Sequence, residues 1–281
     1  MEKGGCTSCE SYARARQPTR LRPDQRPLAD PPPGHPTSPA IPGLKMRIHR
    51  LLTFLLPALL LGSIAPDTVR GQSVELDEGT FRLSVNGNEV GTESFSIRRS
   101  GAGDGAQVIA TAEIRWDGAE ERLELRPALQ AQGSQMAVSA YQVKISGDRD
   151  EEIYVTLGDR RFHTKVISAR GEQEREYRAQ PGTILLDTGI AHQLYFLRSL
   201  LDAGEATFPV IVPREGRQVS LTLTADGRET IRIGGIEVEA RRFTVRGGEQ
   251  DRTVWFDNQG RVLQVDDRAA GYRAVREELP G

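Results

Sequence analysis

From Ser73 onward, apolar side chains recur at every second position in run after run, and the runs are separated by glycine-containing turns. This constrains the fold more than any other feature. Period-two alternation sets one face of an extended chain against a core and the other against water. Phe81, Leu83 and Val85 alternate with Arg82 and Ser84 before Asn86-Gly87, a dipeptide suited to a two-residue hairpin because both residues tolerate positive φ. Val108, Ala110, Ala112, Ile114 and Trp116 form a second apolar face, and Leu123, Leu125 and Leu129 a third beyond Asp117-Gly118. Ile153, Val155 and Leu157 lead through Gly158-Asp159 into a strand from Phe162 to Ser168. Val219, Leu221 and Leu223 form another, closed by an expected turn at Asp226-Gly227. Ile231 and Ile233 pass through Gly234-Gly235 into Ile236, Val238 and Ala240, and a last hairpin pairs Val254–Phe256 with Val262–Val265.

About ten strands joined by short hairpins predict a mainly β fold, a curved antiparallel meander forming a half-barrel or open barrel. Between Met136 and Ile145 the apolar parity changes: Met136, Val138 and Ala140 keep one phase, Tyr141, Val143 and Ile145 the other. A one-residue slip of this kind predicts a β-bulge at Ala140-Tyr141 that bends the sheet. One segment follows a different period. Ile190, Leu194, Leu197 and Leu201 recur at helical spacing, with Phe196 and Leu200 widening the stripe. This predicts one amphipathic helix over about 188–204, capped by Asp187 or Thr188 and ended by Gly204, with its stripe on the concave face of the sheet.

Three regions precede and contain this pattern. Residues 1–45 hold nine of the chain's 16 prolines and both cysteines, Cys6 and Cys9, and show no apolar periodicity. They read as a disordered Pro/Arg-rich extension, expected to be a gene-start artefact ahead of Met46, with a long cytoplasmic arm as the competing account. Residues 46–71 read as a signal peptide. Arg47, His49 and Arg50 form the positive n-region, Leu51–Leu61 the apolar core, and Val69-Arg70-Gly71 the segment before a cut. Its 11-residue core is short of the roughly 20 apolar residues of a permanent span. The expectation is therefore an exported protein of periplasm or extracellular space, in contact with membrane only through that segment. Residues 72–281 form a single β-rich domain.

Over residues 72–281, 27 basic side chains face 34 acidic ones, a net of −7 that disfavours nucleic acid as a partner. The domain has no cysteine, so neither disulfides nor thiol chemistry contribute. Its two histidines, His163 and His192, lack the short-spaced second ligand that a metal site needs. No nucleophile elbow, phosphate loop or dinucleotide fingerprint occurs. The Asp148–Glu152 acidic run lacks the alternating ligands and fixed glycine of a calcium loop. No catalytic residue, metal or cofactor is expected.

The segment Val254-Trp255-Phe256-Asp257-Asn258-Gln259-Gly260-Arg261-Val262-Leu263 resembles the closing hairpin of secreted bacterial β-sheet domains of unknown function. The strand, Asn-Gly turn and Val90-Gly91 between Phe81 and Phe95 resemble the opening hairpin of the same proteins. Such domains are similar in outline to the lipoprotein-localisation factors. That resemblance implies an incomplete antiparallel barrel covered by helices and holding acyl chains, and it transfers no catalytic residue.

The aromatics Trp116, Tyr141, Phe162, Tyr195 and Phe196, with Leu194, fall on or near the apolar faces of strands and helix. Read as pocket-lining residues they suit a lipid-like ligand held between sheet and helix. Read as plain core they need no ligand. The function expected is that of a non-enzymatic envelope protein that binds or carries a hydrophobic ligand. The alternatives are a protein–protein interaction module of the envelope and a secreted hydrolase with an acid pair outside known motifs.

Overall fold

Alternation becomes ladder at once in the computed structural model, which describes residues 73–248 and 251–281. The chain divides into two units, Met1–Ile64 and Ala65–Gly281, and all described residues belong to the second. The extension, the signal segment and both cysteines lie outside the described residues.

Among the described residues, fifteen strands form one sheet. In chain order they are β1 (Val74–Val85), β2 (Asn88–Ser100), β3 (Gln107–Asp117), β4 (Arg122–Gln132), β5 (Ala137–Gly147), β6 (Glu151–Gly158), β7 (Arg161–Ser168) and β8 (Gly171–Arg178), then β9 (Ile184–Leu185). They continue with β10 (Glu205–Val212), β11 (Arg217–Ile233), β12 (Ile236–Arg246), β13 (Arg252–Phe256), β14 (Val262–Asp267) and β15 (Tyr272–Arg276). Their order across the sheet is β8 back to β1, then β15 back to β9. The domain's first and last strands pair in its middle, from Phe81 opposite Arg276 to Val85 opposite Tyr272. Every pairing is antiparallel except the short parallel contact of β9 with β10.

The two ends of the sheet approach each other but share no ladder. Arg175 Nη1 on β8 donates to the Gly216 carbonyl at 2.7 Å, and Gln218 Nε2 on β11 donates to the Arg178 carbonyl at 2.8 Å. The sheet is therefore open, as the hairpin pattern predicts. β8 is its edge, and seven of its eight residues are exposed. Its Gly-Glu-Gln-Glu-Arg-Glu-Tyr-Arg sequence presents alternating charge to water, which discourages pairing with another chain.

One core cluster lines the inside of the curve. Phe81, Leu83, Ile97, Ile114, Leu129 and Tyr141 from the first half join Val210, Phe243, Val254 and Phe256 from the second. Each large side chain so buried contributes roughly 1.5–3 kcal/mol. A smaller cluster of Ile231, Ile233, Ala240, Trp255 and Leu263 lies apart from it.

A bulge separates the two. The sequence predicts a turn at Asp226-Gly227, but β11 runs straight through it. Ala225 pairs with Phe243 and Gly227 with Arg242, which leaves Asp226 as an unpaired extra residue. Odd-numbered residues of β11 (Leu221, Leu223) therefore face the inner core before the bulge, and odd-numbered residues (Ile231, Ile233) face the outer cluster after it. The bent hairpin tip reaches the C-terminal segment: a Cβ on Gly234 would lie 2.7 Å from the Glu277 carbonyl oxygen.

The bulge expected at Ala140-Tyr141 is present one residue earlier. Gln130 pairs with Ala140 and Ala131 with Val138, so Ser139 is the extra residue. Met136, with φ at +50°, belongs to the preceding turn rather than to the strand.

The helical segment is shorter and tighter than its apolar period suggests. It is a 3-10 helix over His192–Leu200, with residues 188–191 forming the approach to it. Leu194 N–H donates to Ala191 O at 3.1 Å and Leu201 N–H to Arg198 O at 3.4 Å, both three residues back. All of His192–Leu197 is buried, so this segment has no solvent face of the kind an amphipathic α-helix keeps. Its start is not capped by Asp187 or Thr188. Instead the buried Glu93 carboxylate on β2 accepts the Ala191 N–H at 2.8 Å and the His192 N–H at 2.7 Å.

Candidate functional site

Between this helix and the sheet lies a partly open cavity of about 350 Å³. Its wall is mostly apolar, built from Ile114 and Trp116 on β3, Leu123 and Leu125 on β4, Leu194 on the helix and Tyr272 on β15. Alternation explains much of this wall, because the inward positions of the neighbouring strands β3 and β4 are the apolar ones. Trp116 stacks on Tyr272 with ring centroids 6.4 Å apart.

Charged residues are confined to a few places on the wall. Asp187 is fully buried and collects donors. Tyr141 Oη donates to its Oδ2 at 2.8 Å, and the N–H groups of Thr188 and Arg214 reach its Oδ1 at 3.1 and 3.3 Å. Arg214 Nε faces Oδ2 at 3.1 Å as an ion pair without an aligned hydrogen bond. Burial, followed by the Asp187 charge, pushes the Tyr141 phenol well above its ordinary value. Burial is the largest influence on Arg214 and opposes its charge, but Asp187, Tyr141 and Glu151 together hold the guanidinium above its usual range. Tyr272 is raised well above its ordinary value by burial and then by Glu93.

A second ion pair, Arg252 Nε to Asp267 Oδ2 at 3.3 Å, sits where the cavity meets a neighbouring one of about 150 Å³. The smaller cavity continues between Val210, Val219, Leu221 and Val245. Arg214 stands at another boundary. It lines the main cavity and also a polar outer cleft of about 520 Å³ that contains Glu151, Thr164 and Arg175.

Of the residues singled out in the sequence, the structure places Trp116 and Leu194 on the cavity wall. Tyr141 is buried behind it and touches the site through Asp187. Phe162 on β7 and Phe196 on the helix pack in the main core away from the wall. Tyr195 also lies off the wall and accepts a hydrogen bond from Arg198 Nη1 through its hydroxyl. Asp187, Arg214, Arg252, Asp267 and Tyr272 were not singled out. A usable signal for the first was an acid inside the apolar run Ile184–Ile190.

The histidines occupy different environments. His163 is half exposed, with Nδ1 3.3 Å from Glu176. His192 is buried, stacks on Phe95 at 5.7 Å and places Nδ1 2.7 Å from Glu93 Oε1. Among the described residues no group of three histidine, cysteine or acidic side chains is placed to hold a metal ion.

Comparison with known proteins adds a family-level likeness. A model described as Domain of unknown function (DUF6134) matches residues 205–277, the stretch from β10 to just past β15. A solved structure of a β-barrel-like protein of domain of unknown function DUF1849 from Brucella abortus is similar at 11% identity. The alignment spans 73% of this chain and 96% of that one, with a TM-score of 0.46. No curated protein matches the chain.

Proposed function

We propose that this chain is an exported, non-enzymatic protein of the cell envelope that binds a small, largely apolar molecule in the cavity between the 3-10 helix and the sheet. The observation that carries this reading is the cavity itself. Protein interiors are close-packed, with few voids larger than a water molecule. Here about 350 Å³ is left beside Ile114, Trp116, Leu125 and Leu194, and it meets a smaller void of about 150 Å³ beside Val210 and Leu221. That volume lies at the lower end of the range of about 300–1,000 Å³ typical of small-molecule sites. Supporting it is the arrangement of the wall, apolar over most of its area with convergent polar groups at its boundaries. Export is supported by the n-region and apolar core of residues 46–71.

The exposed large apolar side chains give less support to a protein interface. Val74, Ile109, Tyr154, Leu157, Ile236 and Leu279 are distributed over β1, β3, β6, β12 and the C-terminal tail.

The test is thermal unfolding of the full chain with increasing 1-decanol, alongside organic extraction of the purified protein. A ligand that binds only the folded state raises Tm in step with its concentration. Binding in the cavity predicts a concentration-dependent rise that the cavity-filling variant Leu125→Trp abolishes. An unchanged Tm together with an empty extract would overturn the reading.

A further inference from the structure

The cavity walls differ in what their charged groups have left to offer. Asp187 already accepts from Tyr141 Oη, Thr188 N and Arg214 N. Asp267 accepts from Arg252 Nε and from the Ala270 N–H at 3.1 Å. Both carboxylates are thus supplied with donors from their own wall. The arginines opposite them are in the reverse condition. A guanidinium carries five N–H donors in a planar fork. Arg214 directs Nε at Asp187 without an aligned hydrogen bond, and that nitrogen is its one buried donor left without a partner among the described residues. A buried donor left without an acceptor is costly unless something else accepts it, and the rest of the fork faces the boundary of the cavity. Its side chain is 16% exposed.

Position adds a direction. Arg214 is the residue shared by the apolar cavity and the polar outer cleft. A molecule held at Arg214 meets hydrocarbon on one side and water on the other. That is the environment of the head of an amphiphile, not of a wholly apolar molecule.

We infer that the ligand of this cavity is an amphiphile with a terminal carboxylate, seated with its head on the Arg214 fork and its tail between Trp116, Leu125 and Leu194. The inference rests on the cavity-binding reading above and names its ligand class. A carboxylate matches the planar fork in a bidentate geometry. Asp187, Asp267 and Glu121 line the same cavity, and Glu151 acts on Arg214 from the outer side. These acids favour a singly charged head over a doubly charged phosphate. Arg252, on the boundary with the smaller cavity, is the second cation within the site.

Calorimetric titration of the full chain with decanoate, 1-decanol and decyl phosphate tests this. Decanoate is expected to bind at least about tenfold more tightly than 1-decanol, a difference of roughly 1.4 kcal/mol. Arg214→Gln should remove that preference, and Arg252→Gln should reduce it less. The wild-type comparison decides the matter even if Arg214→Gln fails to fold. Equal affinity for decanoate and decanol, or tighter binding of decyl phosphate, overturns the carboxylate assignment and leaves the cavity reading standing. Binding of none of the three overturns both.

Discussion

Glu93 on β2 holds the start of the 3-10 helix at His192, ninety-nine residues further along the chain. One carboxylate oxygen accepts both the His192 N–H and the ring Nδ1, each at 2.7 Å, and the other accepts the Ala191 N–H. A carboxylate accepts and does not donate, so the hydrogen sits on Nδ1. Neither side chain is reached by solvent. The contact fixes the helix against the sheet, and with it one wall of the cavity. Replacing Glu93 by alanine strands two backbone donors and a ring nitrogen in the interior. The expected loss is about 3 kcal/mol or more, because each orphaned buried group costs roughly 1–3 kcal/mol. Urea unfolding measures it, and a change under 1 kcal/mol would contradict the assigned role.

Asp77 and Arg276 form a second buried pair, with side chains 2% and 1% exposed. Arg276 Nε also donates to the Val262 carbonyl at 2.6 Å and Nη1 to the Glu78 carbonyl at 2.9 Å, with its cation over Phe81 and Phe95. Removing one partner leaves the other charge uncompensated. Asp77→Asn or Arg276→Met should each cost about 3–5 kcal/mol, whereas the double variant should cost clearly less than their sum. A double-mutant cycle by urea unfolding reads the coupling, and additive costs would show that the ions act independently.

Stability should fall on the alkaline side. The Tyr141 and Tyr272 phenols titrate in the fold well above the ordinary phenol range, chiefly through burial. Between the unfolded and folded values the native state keeps protons that the unfolded chain releases. The contribution is complete below about pH 10 and is lost as pH rises beyond it. Urea midpoints between about pH 8 and 11 should stay level and then drop. Tyr141→Phe should flatten the drop while losing about 1 kcal/mol at neutral pH with its hydrogen bond to Asp187. An identical alkaline slope in wild type and variant would rule out that source.

The bend at Asp226 can be removed without changing any pairing partner, because that residue has none. Deleting it should straighten the β11–β12 hairpin and lift Ile231 and Ile233 from Trp255 and Leu263. Trp255, 5% exposed, would then meet water, and its fluorescence should shift to longer wavelength. An unshifted spectrum would mean that the outer cluster forms without the bulge.

How much of this was legible in the sequence follows from which faces each strand presents. β1, β3 and β4 alternate cleanly because one face meets the core and the other meets water. β8 gave no signal, since an edge strand with no buried face has nothing to alternate. β15 was hidden for another reason: its inner positions are Tyr272, Ala274 and Arg276, and an arginine at a core position reads as surface. Asp226-Gly227 carries turn residues but serves as a bulge, a choice set by the long partner strand β12 and not by local chemistry. The helical period at 190–201 was visible, whereas its tight winding depends on enclosure by distant strands. Trp116 and Leu194 were found as apolar residues in the right phase. Asp187 and Arg214 were not, because their pairing joins a residue after β9 to one after β10 and only the fold brings them together.

Two tryptophans make the central claim directly measurable. Trp116 lies on the cavity wall, while Trp255 belongs to the outer cluster and donates its indole N–H to Glu229 at 3.0 Å. Their indole N–H signals can be followed by two-dimensional NMR during titration of the full chain with 1-decanol. Binding in the cavity predicts that the Trp116 signal moves saturably and the Trp255 signal does not. A Trp116 signal unmoved at saturating decanol, or movement of Trp255 alone, would contradict the account.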